Sequence, residues 1–504
     1  MDGQVMTEQG TMSIVEAEKK TKEGSGKKRE FTTKEAVLSV ICFALSFVFT
    51  HFVTGYAGGL WGGFFWLLTG VLGAVYVRTK GFHVTKAQRT VFCVAEAFCF
   101  VPLFCTNSLI NTLAATFTFF LLAYLGITLS GAELFGDHFV SDLLEGLCVR
   151  SFLRFGEGPA AMKKLFKNPK SCKTLFYVFL GLLCSVPLSC VVLFLLVCSD
   201  TMFENWLDKV FDMIPTFEFR YVWELILAIP VWMYLFGGFA AIRNRWEKPL
   251  INMKGGRVLP AIIGYTTVTP ICVFYVMYIA VQFNYFTAAF GGNLPGDYSY
   301  ASYARKGFFE LCAVAVLNLC VIACMNLFLK RKEDGTSSVA MKVYCTLLSG
   351  FTILLIVSAL SKMVLYIKEM GMTPLRIYTS WFMLVLAVFF VLIIVAQFTK
   401  LRFCKAAFVS FTFLFAVLCF SNVDGMIAKY NVNAYETGKL EHVDFSVLER
   451  LGDAALVHVD SLTESDDSEV AEEAKQCYRA MERKSERKND LAYFSIPRVI
   501  GRSK

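Results

Sequence analysis

Four ionisable residues lie inside long apolar stretches of the chain, where a charge is costly. They are Glu96, Glu224, Glu310 and Lys362. At the centre of a membrane-spanning helix each charged side chain costs about 2.5–3.5 kcal/mol, so such residues usually face protein or a water-filled cavity. Carboxylates and a lysine in this setting can pair with each other, relay protons or bind a polar solute. They are the first candidates for a functional site.

Three of these residues are expected to lie at one depth. Glu224, Glu310 and Lys362 each fall within about two turns of the same end of their apolar stretches, and Arg305 and Arg376 lie in the adjoining loops. Two interpretations stay open. The charges form interhelical salt bridges with snorkelling side chains, or they line an outward-facing pocket for a polar or anionic solute or a lipid headgroup.

Motifs for catalysis or metal binding are absent from the sequence. The histidines lie at or beyond the ends of apolar stretches, and there is no HExxH, P-loop, dinucleotide or GxSxG motif. Most of the 17 cysteines lie in apolar stretches without a CxxC pair, as expected for small hydrophobic residues. We therefore expect no cofactor and no metal. An enzyme is disfavoured, and a membrane-embedded transferase with Glu96 or Glu310 as base ranks last.

Apolar stretches separated by short loops must position these residues. Hydrophobic residues make up 56% of the chain and the mean hydropathy is +0.54, above the about 45–50% of soluble domains. About 20 apolar residues cross a membrane, and each stretch must be helical because lipid offers no hydrogen bonds to the backbone. About eleven spans are predicted, at residues 36–56, 60–77, 90–104, 109–129, 174–198, 221–242, 259–283, 308–329, 339–366, 377–398 and 406–420.

Positive charge predicts the direction of the spans. Lysine and arginine crowd into every second loop, which is typical of loops that stay in the cytoplasm. The N-terminus is then cytoplasmic, and an odd number of spans places the C-terminus outside the cytoplasm. This parity depends on two short stretches, 90–104 and 406–420.

The predicted spans divide the chain into domains. The divisions are 1–35, a disordered basic cytoplasmic arm; 36–129, the first four spans; 130–173, a cytoplasmic amphipathic segment; 174–420, spans five to eleven; and 421–504, an extracytoplasmic helical tail. The basic arm is expected to contact anionic lipid, not nucleic acid. It has no apolar region typical of a removable signal peptide.

Two local patterns predict details of packing and capping. Overlapping GxxxG pairs formed by Gly58, Gly59, Gly62 and Gly63 predict close helix packing. In the tail, Ser465 or Asp466 is expected to cap a helix whose first turns are acidic and whose end is basic.

Three segments of the second half carry a family resemblance. Residues 300–318 read YASYARKGFFELCAVAVLN, and residues 371–378 read GMTPLRIY. The matching residues of the first segment are Ala304, Arg305, Gly307, Phe308, Glu310, Leu311, Leu317 and Asn318, and those of the third are Asn422, Asp424, Ile427, Ala428, Tyr430 and Asn431. The chain thus resembles an uncharacterised bacterial family of multi-spanning proteins, catalogued as domain of unknown function forty-one seventy-three.

The resemblance implies an integral membrane protein of bacterial type, but it brings no activity. Its recurring residues gather at the outer end of the eighth predicted span, which adds Asn318 to the candidate pocket of Glu96, Glu224, Arg305, Glu310, Lys362 and Arg376. The first half of the chain has no motif that matches.

These observations predict an all-α polytopic membrane bundle in the plasma membrane. The favoured function is that of a transporter-like or lipid-handling protein with an outward polar pocket, whose partners are the lipid bilayer and a polar solute or lipid headgroup. The alternative is a non-transporting sensor or scaffold. In that case the tail and outer loops recognise an envelope protein, and the charges only hold the helices together.

Overall fold

The computed structural model describes residues 31–53, 59–136, 139–165, 219–243, 259–290, 308–330, 337–487 and 494–502, with a few single positions between 181 and 192. Within those ranges the chain is helical apart from turns and one isolated parallel bridge between Leu259 and Leu329. The helices are α1 (Thr33–Val48), α2 (Leu60–Thr79), α3 (Lys86–Phe98), α4 (Val101–Phe104), α5 (Ser108–Ser130), α6 (Phe139–Glu145), α7 (Ser151–Leu153), α8 (Glu157–Met162), α9 (Phe219–Arg243), α10 (Ala261–Phe290), α11 (Phe308–Phe328), α12 (Val339–Met370), α13 (Pro374–Phe398), α14 (Phe403–Phe420), α15 (Val423–Glu436), α16 (Phe445–Leu451), α17 (Asp453–Val459), α18 (Ser468–Arg487) and α19 (Ile496–Arg502).

Ten of the described helical stretches are long and apolar enough to cross a membrane. They coincide with ten of the eleven predicted spans, so the prediction of an all-α polytopic bundle is confirmed. The remaining predicted span, 174–198, lies outside the described residues apart from single positions, as do Arg305 and most of the basic arm. The chain is therefore a multi-pass membrane protein whose spanning helices contact lipid.

Side-chain caps determine where several of these helices begin. Thr85 and Gln88 form a reciprocal capping box at the start of α3, and Asn107 accepts hydrogen bonds from the first amides of α5. Ser338 caps α12, and Thr373 caps α13 with a proline directly after it. Such caps satisfy amides that have no partner within the helix, which matters most near lipid.

The third span is interrupted between α3 and α4. α3 ends at Phe98, and the chain makes a turn before α4, whose second residue is Pro102. Proline has no amide hydrogen and its ring displaces the preceding carbonyl, so a continuous helix cannot run through this position without a kink. The break separates Glu96, in the last turn of α3, from the end of the span.

The described residues fall into two compact units, those within 1–47 and 151–240 and those within 48–150 and 241–504. In the first unit, buried Ser39 of α1 donates to the carbonyl oxygen of Gly158 in α8 (2.8 Å) and accepts from the indole nitrogen of Trp232 in α9 (3.1 Å). The Trp232 ring also meets Phe43 edge-on. These contacts join three helices through a single hydroxyl group.

The second unit contains a tightly packed group of four helices, α10 to α13. Its core includes Phe308 of α11, Leu348 and Ala359 of α12, and Phe390 of α13, all at most 1% exposed. α12 contacts each of the other three helices. It is therefore the element against which the rest of this group is positioned.

Glycines of α2 allow α3 and α4 to come close, as the GxxxG pairs predict. A Cβ added at Gly63 would lie 2.2 Å from the carbonyl oxygen of Cys99, and one added at Gly70 would lie 1.7 Å from Oε1 of Glu96. Gly62 is also buried, whereas Gly58 lies outside the described residues. The backbone contact at Gly63 leaves no room for any side chain.

The predicted helical tail is present as α15 to α19. Its core is continuous with the ends of the spanning helices, since Phe98, Ile110 and Leu418 belong to the same buried cluster as Ile427 and Leu448. The tail therefore forms a cap that folds against the bundle. Whether it lies outside the cytoplasm stays a prediction.

The helix cap in the tail differs by one or two residues from the predicted one. The Asp467 carboxylate accepts hydrogen bonds from the first amides of α18, with Glu469 N 3.0 Å from Oδ1. The Ser465 hydroxyl oxygen instead accepts a hydrogen bond from the amide of Asp467. The prediction of Ser465 or Asp466 as the cap is wrong, because the helix begins at Ser468 and Asp467 is the residue directly before it.

The amphipathic segment predicted at 130–173 is broken into short helices as far as it is described. α6 is followed by a π-helical turn, Gly146–Arg150, and by α7 and α8. Glu145 is fully buried and pairs with Arg150 at 3.2 Å, and Phe139 packs edge-on against Tyr124 of α5. The beginning of this segment is therefore packed against a spanning helix.

The close contact at Gly63 generates a stability prediction. Gly63→Ala is expected to destabilise the protein by about 1–3 kcal/mol, because the added Cβ overlaps a backbone oxygen that cannot move without shifting α4. Gly350→Ala in α12 is the matched control, since a Cβ there meets nothing within 4 Å. Thermal unfolding of both variants in detergent provides the comparison. Equal melting temperatures for the two variants would show that α2 does not depend on this contact.

Candidate functional site

Buried and partly buried polar side chains converge where the tail meets the spanning helices. Asn107, the cap of α5, donates through its side-chain amide to the hydroxyl oxygen of Tyr378 in α13 (2.9 Å). The neighbouring Thr106 hydroxyl donates to Oδ2 of Asp424 in α15 (3.3 Å). A loop between two spans thus contacts both the start of a third span and the first turn of the tail.

A second contact holds the same surfaces together. The Asn431 side chain of α15 accepts from the amide of Met372 (2.6 Å) and donates to the carbonyl oxygen of the same residue (2.8 Å). The preceding Gly371 has φ +74°, and a Cβ there would lie 2.8 Å from Asn431 Oδ1. Glycine is therefore required both for the left-handed backbone and for the approach of the asparagine. We call Thr106, Asn107, Met372, Tyr378, Asp424 and Asn431 the tail junction.

Asp424 is the ionisable centre of the tail junction. It is 5% exposed, and its Oδ1 has no hydrogen-bond partner among the described residues. Burial raises the pKa of its carboxyl group, against the opposing effect of hydrogen bonds from Asn107, Thr106 and Tyr378. Burial also raises the pKa of the adjacent Cys105 thiol to about 12. Burial thus shifts both groups toward their neutral forms.

The predicted pocket residues Glu310, Lys362 and Arg376 lie near the ends of α11, α12 and α13. Lys362 is 6% exposed and interacts electrostatically with the exposed Glu310. Arg376 stacks over the Tyr366 ring at 4.0 Å from the centroid and donates to the carbonyl oxygens of Met370 (2.9 Å) and Gly371. The arginine therefore covers the negative end of the α12 dipole.

Asn318 lies deeper among the same helices, and both the oxygen and the nitrogen of its side-chain amide have hydrogen-bond partners. Its Oδ1 accepts from the Tyr275 hydroxyl of α10 (2.7 Å), and its Nδ2 donates to Thr352 Oγ1 of α12 (2.9 Å). The asparagine is fully buried. A satisfied network of this kind holds three helices in register.

Glu224 belongs to the first unit, where Arg220 Nε lies 2.7 Å from its carboxylate. This is a pair within one helix, four residues apart, and the arginine is more than half exposed. A pair with one exposed partner contributes little to stability.

Glu96 has the most unusual environment of the predicted pocket residues. Both carboxylate oxygens are buried, and neither has a hydrogen-bond partner among the described residues. The carboxyl group lies against Gly70 of α2 and uses the space of the missing side chain. A carboxylate without a partner inside a membrane span requires an explanation, because each unpaired charge there is strongly disfavoured.

Thr106 and Asn107 are site residues that the sequence pattern does not predict. A polar Thr-Asn pair just before an apolar run signals a helix cap, but it does not reveal contacts with residues about 270 and 320 positions later. The segments that carry the family resemblance include Tyr378, Asp424 and Asn431, but the sequence predicts no role for them. Among the described residues, no group of three or more His, Cys, Asp or Glu is arranged to hold a metal ion.

The raised pKa of Asp424 generates a pH prediction. Because burial raises the folded-state pKa above its ordinary value of 3.8, the folded protein binds this proton more tightly than the unfolded chain. The resulting stabilisation is present at low pH and is lost as pH rises from about 4 through the folded pKa. Asp424→Asn, which is neutral at every pH, is expected to remove this loss.

Melting temperatures measured from pH 4 to pH 8 provide the test. The melting temperature of Asp424→Asn minus that of the unmodified protein should increase with pH. Asp460→Asn, at an exposed position of the tail, is the control and should follow the unmodified protein. A constant difference in melting temperature across the pH range would contradict a raised pKa of Asp424.

The comparison with protein families agrees with a fold that includes both spans and tail. The model described as Domain of unknown function (DUF4153) matches residues 88–462. An uncharacterised family is what the resemblance indicated, although its number is 4153 and not 4173, and the match begins well within the first half. No curated protein and no solved structure is significantly similar to the chain. The chain, which contains the tail junction within the matched region, belongs to the DUF4153 family.

Proposed function

We propose that the protein is a transporter-like protein of the bacterial plasma membrane that couples proton transfer at Glu96 to the movement of a polar solute. The observation that carries this proposal is the carboxyl group of Glu96, buried in a spanning segment without a hydrogen-bond partner among the described residues. An ionised carboxylate in this place is disfavoured by about 2.5–3.5 kcal/mol on insertion scales. Protonation removes that cost.

A carboxyl group of this kind alternates between two states. It holds a proton while it is packed against Gly70, and it releases the proton when a rearrangement exposes it to water. The break between α3 and α4 supports such a rearrangement, because two short helical segments can move relative to each other where one continuous helix cannot. Proton binding would thereby bias the position of α3.

The solute is proposed to bind at a cluster of three charged side chains, those of Glu310, Lys362 and Arg376. Lys362 is buried and opposed by an exposed carboxylate, so a polar or anionic ligand can approach the lysine by displacing Glu310. Arg376 adds a guanidinium group at the same end of α12. Positive side chains of this type bind carboxylate or phosphate groups.

This charged end is proposed to face the outside of the cell. Contacts at the tail junction require that residues 105–107, 371–373 and 422–424 lie on one side of the membrane. The eleven-span topology agrees, since six predicted spans separate residue 107 from residue 371 and two separate residue 371 from residue 422. With a cytoplasmic N-terminus this side is extracytoplasmic.

Transport by membrane vesicles tests the role of Glu96. Vesicles with the protein are expected to accumulate at least one solute from a panel of labelled polar and anionic compounds when a proton gradient is imposed. Glu96→Gln should abolish this gradient-driven accumulation but keep exchange of the same solute across the membrane, because the amide cannot release a proton whereas the binding site is intact.

Glu464→Gln, at an exposed position in the tail, serves as the matched control and should transport normally. Size-exclusion profiles establish that each variant is folded. The proposal fails if no solute accumulates, or if Glu96→Gln accumulates solute as fast as the control.

A scaffold is the second candidate, and the tail junction favours it. The tail shares its core with the spanning helices, and the Asn431 contact fixes its orientation. A tail held rigidly in this way presents a constant surface to an envelope protein. This role requires no transport of a solute.

Asn431→Ala separates this candidate from the transporter. The substitution leaves the amide and carbonyl of Met372 without their partner, at a cost of about 1–3 kcal/mol, and is expected to loosen the tail. A scaffold should then lose its crosslinked envelope partner without a change in the flux of any solute. Asn433→Ala, exposed on the same helix, is the control. Unchanged partner recovery from Asn431→Ala would exclude the scaffold as stated.

A further inference from the structure

Two buried oxygen atoms at the tail junction have no hydrogen-bond partner among the described residues. They are Oδ1 of Asp424 and Oδ1 of Asn111, which lies one turn after Asn107 in α5. Asp424 is 5% exposed and Asn111 is 6% exposed. Both atoms only accept hydrogen bonds, so they cannot satisfy each other while Asp424 is ionised. A group from outside the described chain is therefore expected to contact them.

Hydrogen bonds through the loop before α5 connect these two side chains. The side-chain amide of Asn111 donates to the carbonyl oxygen of Cys105 (3.2 Å). The hydroxyl group of the next residue, Thr106, donates to Oδ2 of Asp424 (3.3 Å). Asn111 and Asp424 therefore bond to neighbouring residues of one short loop.

A second connection between the same side chains runs through α13. Asn107 donates to the hydroxyl oxygen of Tyr378 (2.9 Å), and Tyr378 in turn shares a hydrogen bond with Asp424. Asn107 and Asn111 lie four residues apart on one face of α5. The contacts thus close into a ring, formed by Cys105, Thr106, Asn107, Asn111, Tyr378 and Asp424, which we call the junction ring.

The unpartnered oxygen of Asn111 is fixed by the contact on the other side of its amide. Nδ2 donates to the carbonyl oxygen of Cys105. Turning the amide over would place two oxygen atoms against each other at that contact, which is disfavoured. The oxygen atom of Asn111 therefore has to find a donor or a cation elsewhere.

The junction ring contains one carboxylate and no positively charged side chain. Among the described residues that interact with Asp424, none is a lysine or an arginine. Helix dipoles do not replace the missing charge. The connections 104–108, 370–374 and 420–423 each join the end of one helix to the beginning of the next, so dipole ends of opposite sign meet here. A proton or a bound cation would supply the counter-charge of an ionised Asp424.

The charge and the atom types of the junction ring favour a monovalent ion. One carboxylate balances one positive charge, whereas a divalent ion would leave excess charge buried. The available ligands are carboxylate, amide, hydroxyl and carbonyl oxygens, which hard cations prefer. Among the described residues no group of three or more His, Cys, Asp or Glu is placed for a transition metal.

The junction ring is accessible from one side. Thr106, Asn107 and Tyr378 are partly exposed, whereas Asn111 and Asp424 are buried. An ion can therefore enter past the partly exposed side chains and reach the two buried oxygen atoms. It does not have to cross the apolar core of the bundle.

We propose that the junction ring binds one monovalent alkali cation, held by Oδ1 of Asp424 and Oδ1 of Asn111. The hydroxyl oxygens of Thr106 and Tyr378 are further ligands, since their hydrogens are donated to the carboxylate and their lone pairs stay available. The ion connects α5 with α15 and thereby holds the tail against the spanning helices. This site does not depend on proton transfer at Glu96.

Equilibrium binding of radiolabelled ions to the purified full chain in detergent tests the site. Sodium is used in one series, and rubidium stands in for potassium in another. The buffer is held at pH 8, because protons compete for the same carboxylate, and choline chloride keeps the ionic strength constant. Binding of at least one of the two ions is expected to saturate at one ion per chain.

Two substitutions remove the proposed ligands separately. Asp424→Asn keeps the shape of the side chain but removes its charge, and Asn111→Ala removes the amide oxygen. Each is expected to weaken ion binding at least about tenfold, since a charged ligand or a buried oxygen ligand is lost. Asp460→Asn and Asn433→Ala are the matched controls at exposed positions of the tail, and they should bind the ion like the unmodified protein.

Size-exclusion profiles establish that each variant is folded, and Asp424→Asn alone decides the result if Asn111→Ala aggregates. Absence of saturable binding of both ions to the unmodified protein would overturn the proposal and assign the two oxygen atoms to a bound water or to a proton on Asp424. Full binding by folded Asp424→Asn would also overturn it, because the ion would then bind elsewhere in the chain.

Discussion

The absence of water around the spanning segments is the constraint on which the rest of the structure depends. Backbone amides in hydrocarbon must bond within their own helix, and polar side chains must find partners in neighbouring helices. Caps at Thr85, Asn107, Ser338 and Thr373 satisfy the first amides of four helices. The buried amide of Asn318 meets the same requirement with partners from two helices. Against this background, both carboxylate oxygens of Glu96 and Oδ1 of Asp424 are buried without a hydrogen-bond partner among the described residues.

These two acids lie in different surroundings. Glu96 is inside a span and packs against a glycine of the adjacent helix, so its proton state is connected with the packing of α2 and α3. Asp424 lies outside the spans, where it joins the tail to two loops or helix ends through Thr106 and Tyr378. A change at the first acid acts on the bundle, whereas a change at the second acts on how the tail is held. The family match includes both positions, consistent with a unit made of bundle and tail.

α12 connects three features of the second unit along its 32 residues. An apolar groove lies along its first turns, the Asn318 network meets it at Thr352, and Lys362 and Tyr366 lie near its end. The buried lysine and the apolar side chains of the first turns therefore lie at opposite ends of the helix. The satisfied network between them gives a rigid middle section, since a buried amide with both ends bonded resists displacement.

The sequence by itself determined the helical class, the ten described spans and the helical tail. Hydrophobicity and the cost of unpaired backbone amide and carbonyl groups in lipid are properties of the local chain. It also identified Glu96 and Lys362 as costly charges, and Gly63 as a packing position. Only the tertiary structure decided that Glu96 has no hydrogen-bond partner among the described residues, that Asn318 has two, and that Thr106 and Asn107 meet Asp424 and Tyr378. Partners hundreds of residues apart leave no local periodicity, so their meeting depends on how the helices pack.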